Sequence, residues 1–144
     1  MSVDPALQDQ LQGMMNKARR ALKAAQRHLD DSDFDFAASR AYYAAFYAME
    51  SALLTKGVTC STHSGAIAVF SERFIKTGIL PVEFGAKTAR LFRERQIGDY
   101  EFDVSVTGTD AEQDVQEAVT LVDAVGHYLR TSEFLSSGIH LPPA

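Results

Sequence analysis

An all-α fold, an up-and-down bundle of four long helices plus a shorter one, is what this 144-residue sequence predicts. Three observations point there. Apolar residues recur at steps of three and four through four long stretches, the period of a helix buried on one side. Residues that cap or break helices fall between those stretches: Asp4-Pro5, Asp30 to Asp33, Gly57, Gly78 and Gly98. The one stretch that alternates apolar and polar residues, Asp99 to Asp110, has no second strand to pair with.

The first helix takes Asp4 as N-cap and Pro5 at its first helical position. Leu7, Leu11, Met14, Ala18, Leu22, Ala25 and Leu29 make its core stripe, while Arg19, Arg20, Lys23 and Arg27 form either a solvated face or a phosphate-facing patch. After the turn residues Asp30 to Asp33, a second helix is expected from Phe34 to Lys56, stopped by Gly57 in a left-handed conformation. Its alanines admit close neighbours, which makes it the central helix. Tyr42, Phe46, Met49 and Leu53 face the core, with Ser39, Tyr43 and Glu50 on an adjoining face. Ser61 or Thr62 caps a third, shorter helix whose stripe, Ile67, Phe70 and Phe74, ends at Gly78. Stepped back one turn, that stripe reaches His63, either a hydrogen-bonded structural residue or a site residue kept neutral by the helix dipole.

Pro81 opens the fourth helix, where Phe84, Thr88, Leu91 and Arg95 fall on one line. That line turns Arg95 inward, so the guanidinium needs a partner, and Asp99 is the nearest in sequence. Gly98 is read as the exit from this helix and Asp99 to Asp110 as a loop. Thr109 and Glu112 have the spacing of a capping box for the last helix, whose seam is Val115, Ala118, Val122, Val125 and Leu129. The tail after Phe134, rich in Ser, Gly and Pro, reads as irregular, leaving residues 1–136 as a single helical domain and 137–144 as a C-terminal tail.

Composition narrows the function. With 46% hydrophobic and 23% charged residues the chain can build a core, and a net charge of −5 argues against a protein that coats nucleic acid over its whole surface. Cys60 is the only cysteine, so neither a disulfide framework nor a cysteine zinc site is available. Met1 to Gln12 lack the features of a signal peptide, and the apolar runs are too short to span a bilayer, so a cytoplasmic protein without membrane contact is expected. Glycine-rich phosphate loops, nucleophile elbows and His-Glu-x-x-His pairs do not occur. The four histidines stand singly at 28, 63, 127 and 140, so no metal and no cofactor is expected.

What remains is an arginine-centred site at Arg93-Glu94-Arg95-Gln96-Ile97-Gly98-Asp99-Tyr100. A guanidinium forks onto phosphate oxygens, and a phosphodiester can be cleaved without metal when a base takes the 2′-hydroxyl proton. Arg95 supplies the first function with Arg93 near it in sequence. His63, or less suitably Tyr100, is the available base. The alternative is that Arg95, Asp99 and Tyr100 only tie the fourth helix to its neighbours.

Taken in order, Ser39-Arg40-Ala41-Tyr42-Tyr43-Ala44-Ala45-Phe46, Thr62-His63-Ser64-Gly65, Phe70-x-x-x-Phe74-x-x-Thr77-Gly78 and Arg95-x-x-x-Asp99-Tyr100 resemble the HEPN-domain family, in particular its small stand-alone prokaryotic branch. The resemblance runs from Ala6 to Leu129. It implies a HEPN helical bundle, a homodimer with a cleft between protomers, and pairing with a minimal nucleotidyltransferase as toxin and antitoxin. Active members are metal-independent ribonucleases with an arginine followed, four to six residues on, by a histidine. Here the arginine is Arg95, and the histidine position falls on Tyr100, Glu101 or Phe102. In toxins modified by their partner a tyrosine near this motif accepts nucleotidyl groups, and Tyr100 lies close to that place at a different spacing. The expected catalytic set is therefore Arg95, Tyr100, Asp99 and His63, with Arg93, Arg40, Tyr43 and Ser39 binding RNA or a nucleotide. An endoribonuclease and a non-catalytic nucleotide-binding partner of the transferase are both consistent with these residues.

Overall fold

Helix α1 begins where the cap residues place it: Asp4 accepts a hydrogen bond from the Ala6 amide at 3.0 Å, and α1 runs from Pro5 to Asp30 in the computed structural model, which describes residues 3–135. Its buried face holds Leu11, Ala18, Leu22 and Ala25 as the periodicity requires, but Met15 rather than Met14 completes it. Arg19 is also corrected. It is 6% exposed and ion-paired with Asp123 at 2.6 Å, while Arg20, Lys23 and Arg27 remain on the solvated side. Positions 15 and 19 lie one turn apart at the edge of the same face, so the buried stripe is wider than the apolar pattern indicated.

Ser32, at φ 59°, makes the tight link to α2, Phe34–Thr55, and Gly57, at φ 70°, closes it. Thirteen residues of α2 are buried, seven of them alanines, and the helix packs against α1 on one side and two later helices on the others. Small side chains let those backbones come close, so the aromatic residues between them fill the space that is left. Helix α3, His63–Phe70, is capped by Thr62, whose hydroxyl accepts from the Gly65 amide at 3.0 Å. A single π-turn, Ser71–Ile75, extends it, and Phe70 and Phe74 are fully buried and stacked with centroids 5.3 Å apart. The turn places Ala66, not Ile67, on the buried face.

Helix α4 spans Phe84–Tyr100, and α5 spans Gly108–Thr131. Pro81 does not open α4; the Phe84 amide bonds back to Pro81 O at 3.1 Å in a turn that precedes it. Phe84, Thr88, Leu91 and Arg95 all face inward. Gly98 is not the exit. The helix continues through it to Tyr100, because a Cβ at Gly98 would lie 2.5 Å from the Asp35 carbonyl oxygen, and glycine is what lets α4 lie against the start of α2. Asp99 and Tyr100 are thus helical and fixed relative to Arg95. Thr107, not Thr109, caps α5, accepting from the Asp110 amide at 3.1 Å, and Asp35 holds the connection through a 2.8 Å bond from the Val106 amide. The α5 seam of Val115, Ala118, Val122, Val125 and Leu129 is buried. Among the described residues the fold is all-α, four long helices and a shorter one, with no strand. The expected irregular tail, 137–144, lies outside the described residues.

The contact at Gly98 is testable by denaturation. Gly98→Ala should lose about 1–3 kcal/mol of stability, because a backbone carbonyl cannot yield to the new methyl. In Gly13→Ala, where nothing lies within 4 Å of the added carbon, the methyl meets no neighbour, and removing a glycine from a helix interior should gain about 0.5–1 kcal/mol. Equal urea midpoints for the two variants would contradict the close-approach account.

Candidate functional site

The side chain at the centre of the site is Arg95, only 9% exposed although it is permanently charged. One turn on, Asp99 accepts from its Nε at 2.9 Å, the i,i+4 pairing that a continuous α4 makes available. From α2, Tyr43 accepts from Nη2 at 2.9 Å, and the Tyr100 phenol lies 3.5 Å from the same nitrogen. The guanidinium carbon sits 5.5, 5.4 and 5.3 Å from the ring centres of Tyr42, Tyr43 and Tyr100. Three aromatic faces stabilise a cation where water is scarce. Burial alone would lower the Arg95 pKa, but the Tyr43 hydrogen bond and the nearby Tyr43, Tyr100 and Asp99 hold it above its usual value. No hydrogen bond from Nη1 to a protein group is present among the described residues, so that edge of the fork is not committed within the protomer.

His63 arrives from the start of α3. Its ring stacks on Phe46 with centroids 4.2 Å apart, and its Nδ1 is 2.6 Å from the Tyr42 hydroxyl. The His63 pKa is lowered, chiefly by burial and then by the charge of Arg95. Arg40 lies over the Tyr43 ring, 4.8 Å from its centre. The structure therefore gathers Arg95, Asp99, Tyr100, Tyr43, Arg40 and His63 around the tyrosine pair of α2. It does not gather Arg93 or Ser39. Two positions from Arg95, Arg93 points to another side of α4, where it borders an open groove with Lys87 and Arg90. Ser39 is buried, and no hydrogen bond joins it to the cluster. The cavity between α1, α2 and α3, about 160 Å³ and walled by Met14, Glu50, Leu53 and Cys60, does not include Arg95.

A second polar cluster, between α4 and α5, was not foreseen. Arg90 donates from Nε to Asp114 at 3.0 Å and from Nη2 to Asp110 at 3.1 Å, with Glu94 at 3.4 Å. Asp114 is completely buried, and its Oδ2 has no partner. Burial, with the Glu94 carboxylate beside it, pushes Asp114 up to about 8 despite Arg90. At neutral pH this carboxyl holds a proton that Oδ2 can share with Glu94. The sequence signal was present in the four-residue spacings Arg90–Glu94 and Asp110–Asp114, but nothing in it said that the two helices would bring them together. Lys87 and Glu117 form a further ion pair across the same interface.

Residues 11–131 match the family model described as HEPN domain. A Methanocaldococcus jannaschii protein bearing the name "Putative toxin MJ0142" is 30% identical over 126 residues, 88% of this chain and 86% of that one. A "UPF0332 protein" of Thermotoga maritima is 35% identical over 109 residues, covering 76% of this chain and 83% of its own. Another protein of that designation, from Gloeobacter violaceus, is 31% identical over 87% of this chain and 95% of its own length. The match spans every residue of the Arg95 cluster.

The buried acid gives a pH signature. Because the folded pKa of Asp114, about 8, exceeds its ordinary 3.8, the folded state keeps a proton that the unfolded chain has released between those values. Its contribution is greatest below pH 4, declines as pH rises through that window, and is lost above pH 8. Urea midpoints measured at pH 5, 7 and 9 should fall in the wild type and fall less in Asp114→Asn. Parallel slopes would show that Asp114 is not the responsible group.

Proposed function

The chain belongs to the HEPN family, and from that premise we propose that it is a toxin-type member, a homodimer that holds the phosphate of RNA or a nucleotide at Arg95 in a cleft between protomers. One observation carries the reading: a guanidinium held at Nε by Asp99 and at Nη2 by Tyr43 and Tyr100, with Nη1 bonded to no protein group among the described residues. The guanidinium is pre-organised, so little entropy is lost when it binds. Asp99 orients the fork, the two tyrosines set its plane, and Arg40 adds positive charge over Tyr43. The names of the Methanocaldococcus jannaschii relatives support the toxin-type assignment.

Two readings follow for what happens to the bound phosphate. In the first, the protein is a metal-independent endoribonuclease. In the second, it is a non-catalytic nucleotide-binding partner of a minimal nucleotidyltransferase acting as antitoxin. The second is favoured by the end of α4, where Tyr100 occupies the place of the family's base. The residue is 61% exposed, with its hydroxyl beside Arg95, an acceptor for a nucleotidyl group. In both, residues 1–136 act as one HEPN-like domain in the cytoplasm. No helix among the described residues is long and apolar enough to cross a membrane.

Binding of a single-stranded RNA oligonucleotide and its digestion in the presence of a chelator test both readings together. Arg95→Ala should weaken binding about tenfold or more, the usual loss for a hydrogen bond to a charged group. Arg95→Lys should recover only part of it, since an ammonium cannot reproduce the fork. Cleavage that disappears in Arg95→Ala supports the ribonuclease. Its absence in both proteins, with RNA bound and a transferase co-purifying, supports the partner. If Arg95→Ala only lowers the melting temperature and leaves binding intact, the cluster is a structural tie.

A further inference from the structure

Tyr42 is fully buried, and Nδ1 of His63, at 2.6 Å, is the polar atom that its hydroxyl meets. The proton in this pair has two arrangements. Either Tyr42 donates to a bare Nδ1, or Nδ1–H donates to the phenol oxygen and the hydroxyl hydrogen must go elsewhere. No second acceptor for that hydrogen is present among the described residues, and a buried donor left unpaired carries its full desolvation cost. Burial also keeps the phenol protonated, its pKa being raised well above 10. Tyr42 therefore donates and Nδ1 accepts. In a neutral imidazole the remaining proton is then on Nε2.

Nε2 has no protein partner among the described residues, and the His63 residue is only partly buried, so its hydrogen is free for a ligand. Arg95 and His63 flank the same two rings. The guanidinium carbon is 5.5 Å from Tyr42 and 5.4 Å from Tyr43, and the imidazole is 5.7 and 5.9 Å from them. We propose that Tyr42 fixes His63 as its Nε2–H tautomer and so makes it a hydrogen-bond donor to the phosphate group held by Arg95, in place of a base. The donor role rests on the phosphate-binding reading above; the tautomer does not. Tyr42 is a positioning residue that acts through the imidazole. With Asp99 Oδ2 bonded to Arg95 Nε, the groups assigned to the ligand are donors, the Arg95 fork and His63 Nε2–H. The ligand chemistry that matches is a phosphate monoester or diester carrying negative charge on several oxygens.

The two parts separate experimentally. Long-range ¹⁵N–¹H NMR of the full chain without ligand, at pH 7.5, reads the tautomer directly: His63 should show a protonated Nε2 and a bare Nδ1, and Tyr42→Phe should lose that bias. An Nδ1–H tautomer in the wild type overturns the proposal. Titration with 5′-adenosine monophosphate then tests the donor. His63→Ala should bind about tenfold more weakly. His63→Gln, whose amide nitrogen reaches the position of Nε2, should recover most of the loss, and His63→Asn, which mimics Nδ1, should not. Equal losses in the Gln and Asn variants, with unchanged circular dichroism, reject the donor role. If the wild type binds neither the nucleotide nor inorganic phosphate while the Nε2–H tautomer is present, the phosphate reading has failed and the donor role falls with it.

Discussion

The carbonyl oxygen of Asp35 and the α-carbon of Gly98 set how near α2 and α4 come at the end of the molecule where the polar groups collect. Any larger residue at 98 would wedge the helices apart. Their approach brings the Tyr42 and Tyr43 rings within 5.5 Å of the Arg95 guanidinium, and it also lets α4 continue one turn past Arg95 so that Asp99 and Tyr100 can reach back. The Asp35 side chain fixes the connection to α5 through the Val106 amide. One short segment of α2 therefore sets the site geometry through its backbone and the following loop through its carboxylate. The alanines of α2 extend the same close packing along the bundle.

The two charged clusters on α4 solve the cost of burial differently. Arg90 is surrounded by three carboxyl groups, more negative charge than one guanidinium neutralises, and the excess is relieved by protonating Asp114. Arg95 has one carboxylate and three aromatic faces, a one-to-one ion pair further stabilised by the rings. The first arrangement locks α4 to α5 and has no unmet demand for an anion. The second has no excess of carboxyl groups to repel an anion, which is why the functional reading is attached to Arg95 and not to Arg90.

Much of this was readable from the residues. The four long helices, the caps at Asp4 and Thr62 and the stop at Gly57 all follow from local rules, because caps and periodicity depend on neighbours within one turn. The inward direction of Arg95 was legible for the same reason. What could not be read were the features set by contact between helices. Gly98 looks like a stop signal in sequence, and only the position of Asp35 O shows that it serves close approach. Arg19 looked solvated until Asp123 met it, and the Arg90–Asp114 pair joins helices whose relative register no local pattern specifies.

The motif histidine that this chain lacks therefore has a physical consequence beyond the loss of one group. A base must accept a proton at the moment of attack, whereas Arg95 and an Nε2–H imidazole both donate, before and during any reaction. Donors arranged around a phosphate that is already charged stabilise the bound ground state nearly as well as a transition state, and such uniform stabilisation increases affinity more than rate. The geometry of this protomer is thus better suited to holding a phosphate than to breaking its ester bond.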